Sequence, residues 1–255
     1  MFQFLLDLEE VMETTRVTVD SKYSNLGELT RLADAFAEED AVILPQFLTR
    51  AVQRRITADT ESLRETMRSK SFTMPGFDTP RIMSVLAARD LATALPYLRD
   101  IYEDLSDAVS VVARSHVYLC QHERETMVLN RLDGAGRTHG WHVDDPAYAV
   151  VIVLRGVAVG DGGAVEYIRQ WPDECRRRGL DPEHAVGEAA ETMRAEGKIR
   201  TLTLRTGDAY LLRADTSLHR VTPITNHGAT RLVLNFAYEA HLNTLYAGTA
   251  DLLYA

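Results

Sequence analysis

The segment Thr138-His-Gly-Trp-His-Val-Asp-Asp-Pro-Ala-Tyr-Ala-Val-Val-Ile-Val-Leu-Arg155 joins a polar, histidine-rich stretch to an apolar run, Ala147 to Leu154. The run is far too short to span a bilayer, and its β-branched residues predict a strand over Tyr148 to Leu154. Reactive side chains stand at the mouth of that strand. His142 and Asp144 are two apart, and in extended chain this spacing turns both to one face. A neutral imidazole and a carboxylate on one face are two corners of a metal site.

The strand has company on both sides. Short β-rich runs occur at His116 to Leu119, Thr126 to Leu132, Ala164 to Ile168, Ile199 to Arg205, Ala209 to Leu212 and Thr230 to Tyr238. Gly, Asp and Asn separate most of them, a pattern of a mostly antiparallel sandwich or barrel. The stretch from about Pro172 to Gly197 is charged and helical and reads as an insertion, with Arg176-Arg-Arg178 on its solvated face. Upstream the texture is helical. Phe2, Leu5, Leu6, Leu8 and Val11 outline one amphipathic segment, with others at Leu26 to Glu38, Phe47 to Met67 and Ala88 to Val112, where Pro96 falls near the first turns. Ala41 to Pro45 reads as a short strand, and Met74 to Pro80 as a loop. Helices first and strands later predict an α+β fold. We read one domain, with residues 1–112 a mainly helical buttress and 113–245 the β core carrying the insertion at about 172–197.

Composition narrows the function classes. A chain of 255 residues with 45% hydrophobic and 25% charged residues is an ordinary globular sequence. Its net charge of −9 repels phosphate backbones and anionic lipid, so neither nucleic acid nor membrane is an expected partner. Met1 to Leu6 is apolar but runs into Asp7, Glu9 and Glu10 without a basic flank, which does not fit a signal peptide. Cys120 and Cys175 form no motif, and two scattered thiols suit a reducing, cytoplasmic setting.

The third metal corner is offered by His219, in Ala214-Asp-Thr-Ser-Leu-His-Arg-Val-Thr222. Two histidines and one carboxylate leave the remaining positions open, a set that suits non-haem Fe(II). Arg231 follows twelve residues after His219, at the start of the strand that ends at Tyr238. A guanidinium deep in a barrel needs an anion, and its fork matches a carboxylate. A His-x-Asp pair, a distal His and then an Arg resemble the arrangement in Fe(II)/2-oxoglutarate-dependent dioxygenases, in which the arginine holds the distal carboxylate of the co-substrate. The turns Gly162-Gly163 and Gly207-Asp208 fit that arrangement too. The competing class is a cupin-like metal enzyme with non-oxidative chemistry, an isomerase or hydrolase using Mn²⁺ or Zn²⁺. Arg231 discriminates, since such sites have no standing need for a buried carboxylate clamp.

The strings THGWHVDDPAYAVVIVLR, GDAYLLRADTSLHRVTPIT and TRLVLNFAYE resemble the branch of radical halogenases and hydroxylases acting on free amino acids, the branch of the lysine halogenase of β-ethynylserine biosynthesis. The resemblance runs over roughly residues 70–240. It implies a double-stranded β-helix (jelly-roll, cupin-like) core, with Fe(II) held by His142, Asp144 and His219, and 2-oxoglutarate held by the iron and Arg231. It implies O2 as oxidant and a small free amino acid, polar or basic, as substrate. It also implies substrate contacts: Arg81 and Asn235 for the carboxylate, His139 beside the α-amino group, and Glu125 for a basic side chain, with Glu123 nearly as good by spacing. Asp145, next to Asp144, is a candidate hydrogen-bond acceptor behind the metal ligands or a contact for an amine. In the halogenases the position of Asp144 is glycine, so the aspartate here implies a hydroxylase or desaturase. His116, His122, His184, His227 and His241 carry no motif. Trp141 and Tyr148 fit either a pocket wall or the core.

Overall fold

Alternation along two strands organises the structure. The computed structural model describes residues 18–74, 76–246 and 249–254. Strand β7 (Tyr148–Arg155) buries every residue except its last. Val150, Ile152 and Leu154 join a large cluster shared with the helices, whereas Ala149, Val151 and Val153 line the interior of the sheet. Strand β12 (Thr230–Glu239) repeats the scheme: Leu232, Leu234, Phe236 and Tyr238 face the helices and Val233 faces inward. Both faces are covered, so these strands are nearly continuous hydrophobic runs.

The other strands are β1 (Ala41–Leu44), β2 (Arg68–Thr73), β3 (Pro80–Leu86), β4 (Tyr118–Leu119), β5 (Met127–Asp133), β6 (Thr138–His142), β8 (Val165–Ile168), β9 (Arg200–Leu202), β10 (Ala209–Arg213) and β11 (Leu218–Val221). They form one antiparallel sheet in the order β1-β10-β7-β12-β5-β3-β6-β11-β8-β9, with β2 added to β3 and β4 to β12. The sheet curls into a nearly closed barrel, the double-stranded β-helix implied by the motifs, in an α+β setting.

Helices α1 (Leu26–Glu39), α2 (Arg50–Ser62), α3 (Ala88–Ala94) and α4 (Leu98–Ala113) buttress one side. The Asn25 side chain caps α1 by accepting from the Glu28 backbone N–H. α4 sets Leu98, Ile101, Tyr102, Leu105, Val109 and Val112 into the core. It is tied to β12 by reciprocal bonds, Tyr102 donating to the Ala237 carbonyl (2.6 Å) and Tyr238 donating to the Tyr102 carbonyl (2.8 Å). The insertion is a helix pair, α5 (Trp171–Arg178) and α6 (Val186–Ala195), and a short helix α7 (Thr249–Tyr254) follows the last strand. Among the described residues no helix is long and apolar enough to cross a membrane.

Three sequence expectations are corrected. The single helix over Ala88 to Val112 is two helices, because Pro96 has no N–H to donate and drives Leu95 out of the helical region (φ −131°, ψ 69°). The stretch from Phe47 to Met67 becomes helical only at Arg50, and a separate 3₁₀ turn, Arg64–Thr66, follows its end. The mainly helical first half also supplies β2 and β3, and β3 sits mid-sheet between β5 and β6. The amphipathic segment expected at Phe2 to Val11 lies outside the described residues.

The turn before β8 depends on Gly162, whose φ is +80° and whose absent Cβ would lie 2.0 Å from the Pro223 carbonyl oxygen. Gly162→Ala combines left-handed strain of about 1–3 kcal/mol with that collision. We expect a loss of at least about 2 kcal/mol in urea or thermal unfolding; a change under about 0.5 kcal/mol, the size of an ordinary surface substitution, would contradict the packing.

Candidate metal centre and co-substrate pocket

β6 and β11 are hydrogen-bonded neighbours, and their register sets His219 opposite His142 and Val221 opposite His139. Two steps on β11 thus match three on β6, so the ladder carries a bulge at Gly140–Trp141. The bulge matters because His139 and His142 are an odd number apart. A regular strand would send them to opposite faces; the extra residue shifts the phase, and both line the cavity. His139 stacks on His142 with ring centroids 4.1 Å apart.

His142, Asp144 and His219 each offer a ligand atom, and these atoms lie within 4.8 Å of one another. Nε2 of His142 is 3.5 Å from one Asp144 carboxylate oxygen, and Nε2 of His219 is 3.6 Å from the other. Each ring is oriented from behind. Nδ1 of His142 donates to the Gly140 carbonyl (2.7 Å) and Nδ1 of His219 to the Ser217 carbonyl (2.9 Å). With the proton on Nδ1, the bare lone pair is on Nε2, facing the shared space. Burial, then the neighbouring imidazoles and Arg81, hold His142 well below the usual histidine range. A neutral imidazole is the form that ligates a metal. The donor set, tautomers and spacing therefore fit Fe(II).

Across the cavity, Arg231 is buried on β12, with Tyr210 of β10 beside it. Its Nη2 is buried without a protein partner. Burial lowers its pKa, but a guanidinium stays charged in proteins, so the orphaned N–H calls for an anion. A carboxylate would answer that need.

The remaining expected residues surround the same space. Arg81 on β3 is the register partner of His139 and is 1% exposed, with Nε and Nη1 lacking partners. His139 keeps a buried, unpartnered Nε2, and burial followed by Arg81 depresses its pKa strongly. Asn235 lines the cavity with an unpartnered Oδ1. Glu125 lies in the field of Asp144, Asp145, Glu239 and Arg81; burial first, then those carboxylates, push it up to about 8. Glu123, the alternative by spacing, points away with a side chain 77% exposed. Asp145 is half-buried beside Asp144. Trp141 packs into the insertion cluster and Tyr148 into the helix-side core, so neither walls the pocket. His116, His184, His227 and His241 are exposed and His122 half-buried, none of them on the cavity wall.

Sequence reasoning missed Tyr210, Asn130 and Tyr254, all of which line the cavity. Tyr210 and Asn130 had a weak signal, as polar groups set among apolar neighbours in β10 and β5. Tyr254, on the terminal helix α7, had none.

A double-stranded β-helix with two histidines and a carboxylate converging on one point, and an unpaired buried arginine across from them, defines a non-haem Fe(II)/2-oxoglutarate-dependent dioxygenase. The chain belongs to the halogenase D family, whose model matches residues 24–252. No curated protein matches it in sequence. Its fold is similar to that of the epimerase SnoN in complex with Fe³⁺, α-ketoglutarate and nogalamycin RO, at 16% identity and TM-score 0.61 over 84% of each chain. It is likewise similar to AviO1 from Streptomyces viridochromogenes Tue57, at 18% identity and TM-score 0.60 over 86% of this chain and 97% of that one. A prolyl hydroxylase from Trichoplax adhaerens aligns at 11% identity and TM-score 0.60 over 84% and 90% of the two chains. At these identities the likeness is one of fold.

Two variants test the centre. His219→Ala removes a ligand outright and should weaken Fe(II) binding by more than about hundredfold, beyond the ~10–100-fold typical of outer-shell changes. Anaerobic metal titration reads this, and wild-type affinity in the variant would contradict the assignment. Arg231→Ala should raise the Kd for 2-oxoglutarate by at least about hundredfold, the effect of losing one partner of a buried charge pair at ~3–5 kcal/mol. Calorimetry on the metal-loaded protein checks it, and an unchanged Kd would mean the keto acid binds elsewhere.

Proposed function

We propose that the chain oxidises an aliphatic C–H of a small free amino acid, polar or basic, by hydroxylation or desaturation and not by chlorination. The observation that carries this reading is two buried guanidiniums with unpartnered N–H groups, Arg231 on the cavity wall and Arg81 paired in register with the wall residue His139. One is matched by the free carboxylate of 2-oxoglutarate. The second needs an anion of its own, and the carboxylate of a free amino acid answers it bidentately.

The other polar side chains give the pocket its direction. His139 is neutral, so its Nε2 can accept from an ammonium without repelling it. Asn235 adds an amide with both donor and acceptor character. Glu125, pushed up to about 8 by burial and then by the neighbouring carboxylates, would ionise against the ammonium or guanidinium of a basic side chain, with Asp145 nearby. Together they would hold the substrate at both ends, and fixed placement is what decides which carbon reacts. Met83, Val151, Val165 and Val233 make the rest of the wall apolar, which limits water.

Bound at His142, Asp144 and His219, Fe(II) with 2-oxoglutarate and O2 supplies an oxidant strong enough to take hydrogen from an unactivated carbon. Asp144 governs the outcome. In the halogenases this chain resembles, glycine leaves that ligand position to chloride; here a carboxylate fills it and brings its own negative charge. A non-oxidative metal enzyme has no standing need for a buried carboxylate clamp such as Arg231.

Turnover of the twenty common amino acids with Fe(II), 2-oxoglutarate and high chloride, read by mass spectrometry, tests the proposal. We expect a product one oxygen heavier or two hydrogens lighter, and a chlorinated product would overturn it. Arg81→Ala should raise the amino-acid KM by about hundredfold or more, on the same buried-pair reasoning. Uncoupled consumption of 2-oxoglutarate should stay within a few-fold of wild type. Equal damage to both would assign Arg81 to the co-substrate.

A further inference from the structure

The outer face of β6 and β11 carries a rung of its own. Trp141 precedes one ligand and Arg220 follows another, and both point away from the cavity. The Arg220 guanidinium lies over the Trp141 ring, 4.6 Å from its centroid. Arg220 is also the register partner of Glu166 on β8, and its Nε donates to the Glu166 carboxylate at 2.8 Å. The same carboxylate takes two further bonds from Arg194 of α6, at 3.0 and 2.6 Å. Glu191 of α6 bonds Arg194 at 2.9 Å and lies 3.8 Å from Arg220.

The chain of contacts therefore runs Trp141–Arg220–Glu166–Arg194, across β6, β11, β8 and on to the insertion. Its inner end is the bulge at Gly140–Trp141, which aims His142 into the cavity and whose Gly140 carbonyl fixes the His142 tautomer. Glu166 is 8% exposed, and Trp141 is 1% exposed within the cluster that includes Trp171, Val186, Ala190 and Met193 of the insertion. A bulge is a local departure from the ladder and needs outside contacts to hold one shape. Here a planar cation clamps the bulged residue's ring, and a carboxylate gripped by two guanidiniums clamps the cation.

We propose that Glu166 is a positioning residue of the metal centre: through Arg220 it pins the Trp141 bulge and so aims His142, with the α5–α6 insertion acting as the splint that holds Glu166. This rests on His142, Asp144 and His219 being the metal ligands.

The test is equilibrium binding of Co(II) alone to the full chain, with its ligand-field absorption spectrum as a reporter of geometry. Glu166→Gln and Arg220→Gln should each weaken Co(II) binding about tenfold, the lower end of outer-shell effects, and alter the spectrum. The double variant should be no weaker than either single one, since both cut the same chain of contacts. Glu196→Gln serves as control, because it breaks an ion pair with Arg178 inside the insertion without touching β6, β8 or β11. It should leave affinity and spectrum unchanged. Where Glu166→Gln does not fold, Arg194→Gln removes the outer guanidinium only and should weaken binding about threefold, a fraction of that outer-shell effect. Wild-type affinity and spectrum in the folded variants, or independent losses that multiply in the double variant, would overturn the positioning role alone. Failure of the wild type to bind Co(II), or full binding by His219→Ala, would overturn the metal assignment itself.

Discussion

One strand pairing carries the site: β6 against β11, with His142 opposite His219. The two residues are remote in sequence, and only the antiparallel ladder makes them neighbours. The bulge at Gly140–Trp141 then changes the phase of β6, so that His139 and His142 share a face although their spacing forbids it in regular strand. Asp144 follows once the chain leaves the strand, anchored by its backbone N–H to the Ala214 carbonyl (3.0 Å). Slip β6 by one residue in that register and His142 would face the insertion while Trp141 entered the barrel.

The electrostatics explain why such a cavity persists inside an apolar barrel. Burying a charge costs several kcal/mol unless it is paired. Arg81 and Arg231 are buried with unpartnered N–H groups, and burial with nearby carboxylates pushes Glu125 up to about 8. These groups are poorly satisfied by the protein itself, and ligands that bring two carboxylates and one or two amines would satisfy them. The stability comes from elsewhere: the apolar outer faces of β7 and β12 packed on α1, α3 and α4. Function is built on one face of the sheet and stability on the other.

Much of the fold was legible because β7 and β12 are long, β-branched and buried on both faces. β2 and β3 were not. β2, Arg68-Ser-Lys-Ser-Phe-Thr73, is an exposed strand with a charged pattern that blunts an edge and looks like helix surface or loop. β3 carries Arg81 on its inner face, which breaks the apolar alternation that marks a strand. β6 and β11 are short, five and four residues, and were found as ligand motifs rather than as strands. The cluster of His142, Asp144 and His219 was legible because the chemistry of a metal site restricts the residue types. Tyr254 was hidden, since nothing local to a C-terminal helix says which cavity it reaches.

The most direct measurement of the central claim is the anomalous difference map at the iron edge, from crystals grown anaerobically with Fe(II) and 2-oxoglutarate. The account predicts one iron bound through Nε2 of both His142 and His219 and an oxygen of Asp144, with the far carboxylate of the keto acid on Arg231. Iron bound through Nδ1, iron at any other cluster, or a keto acid that leaves Arg231 unpaired would contradict it.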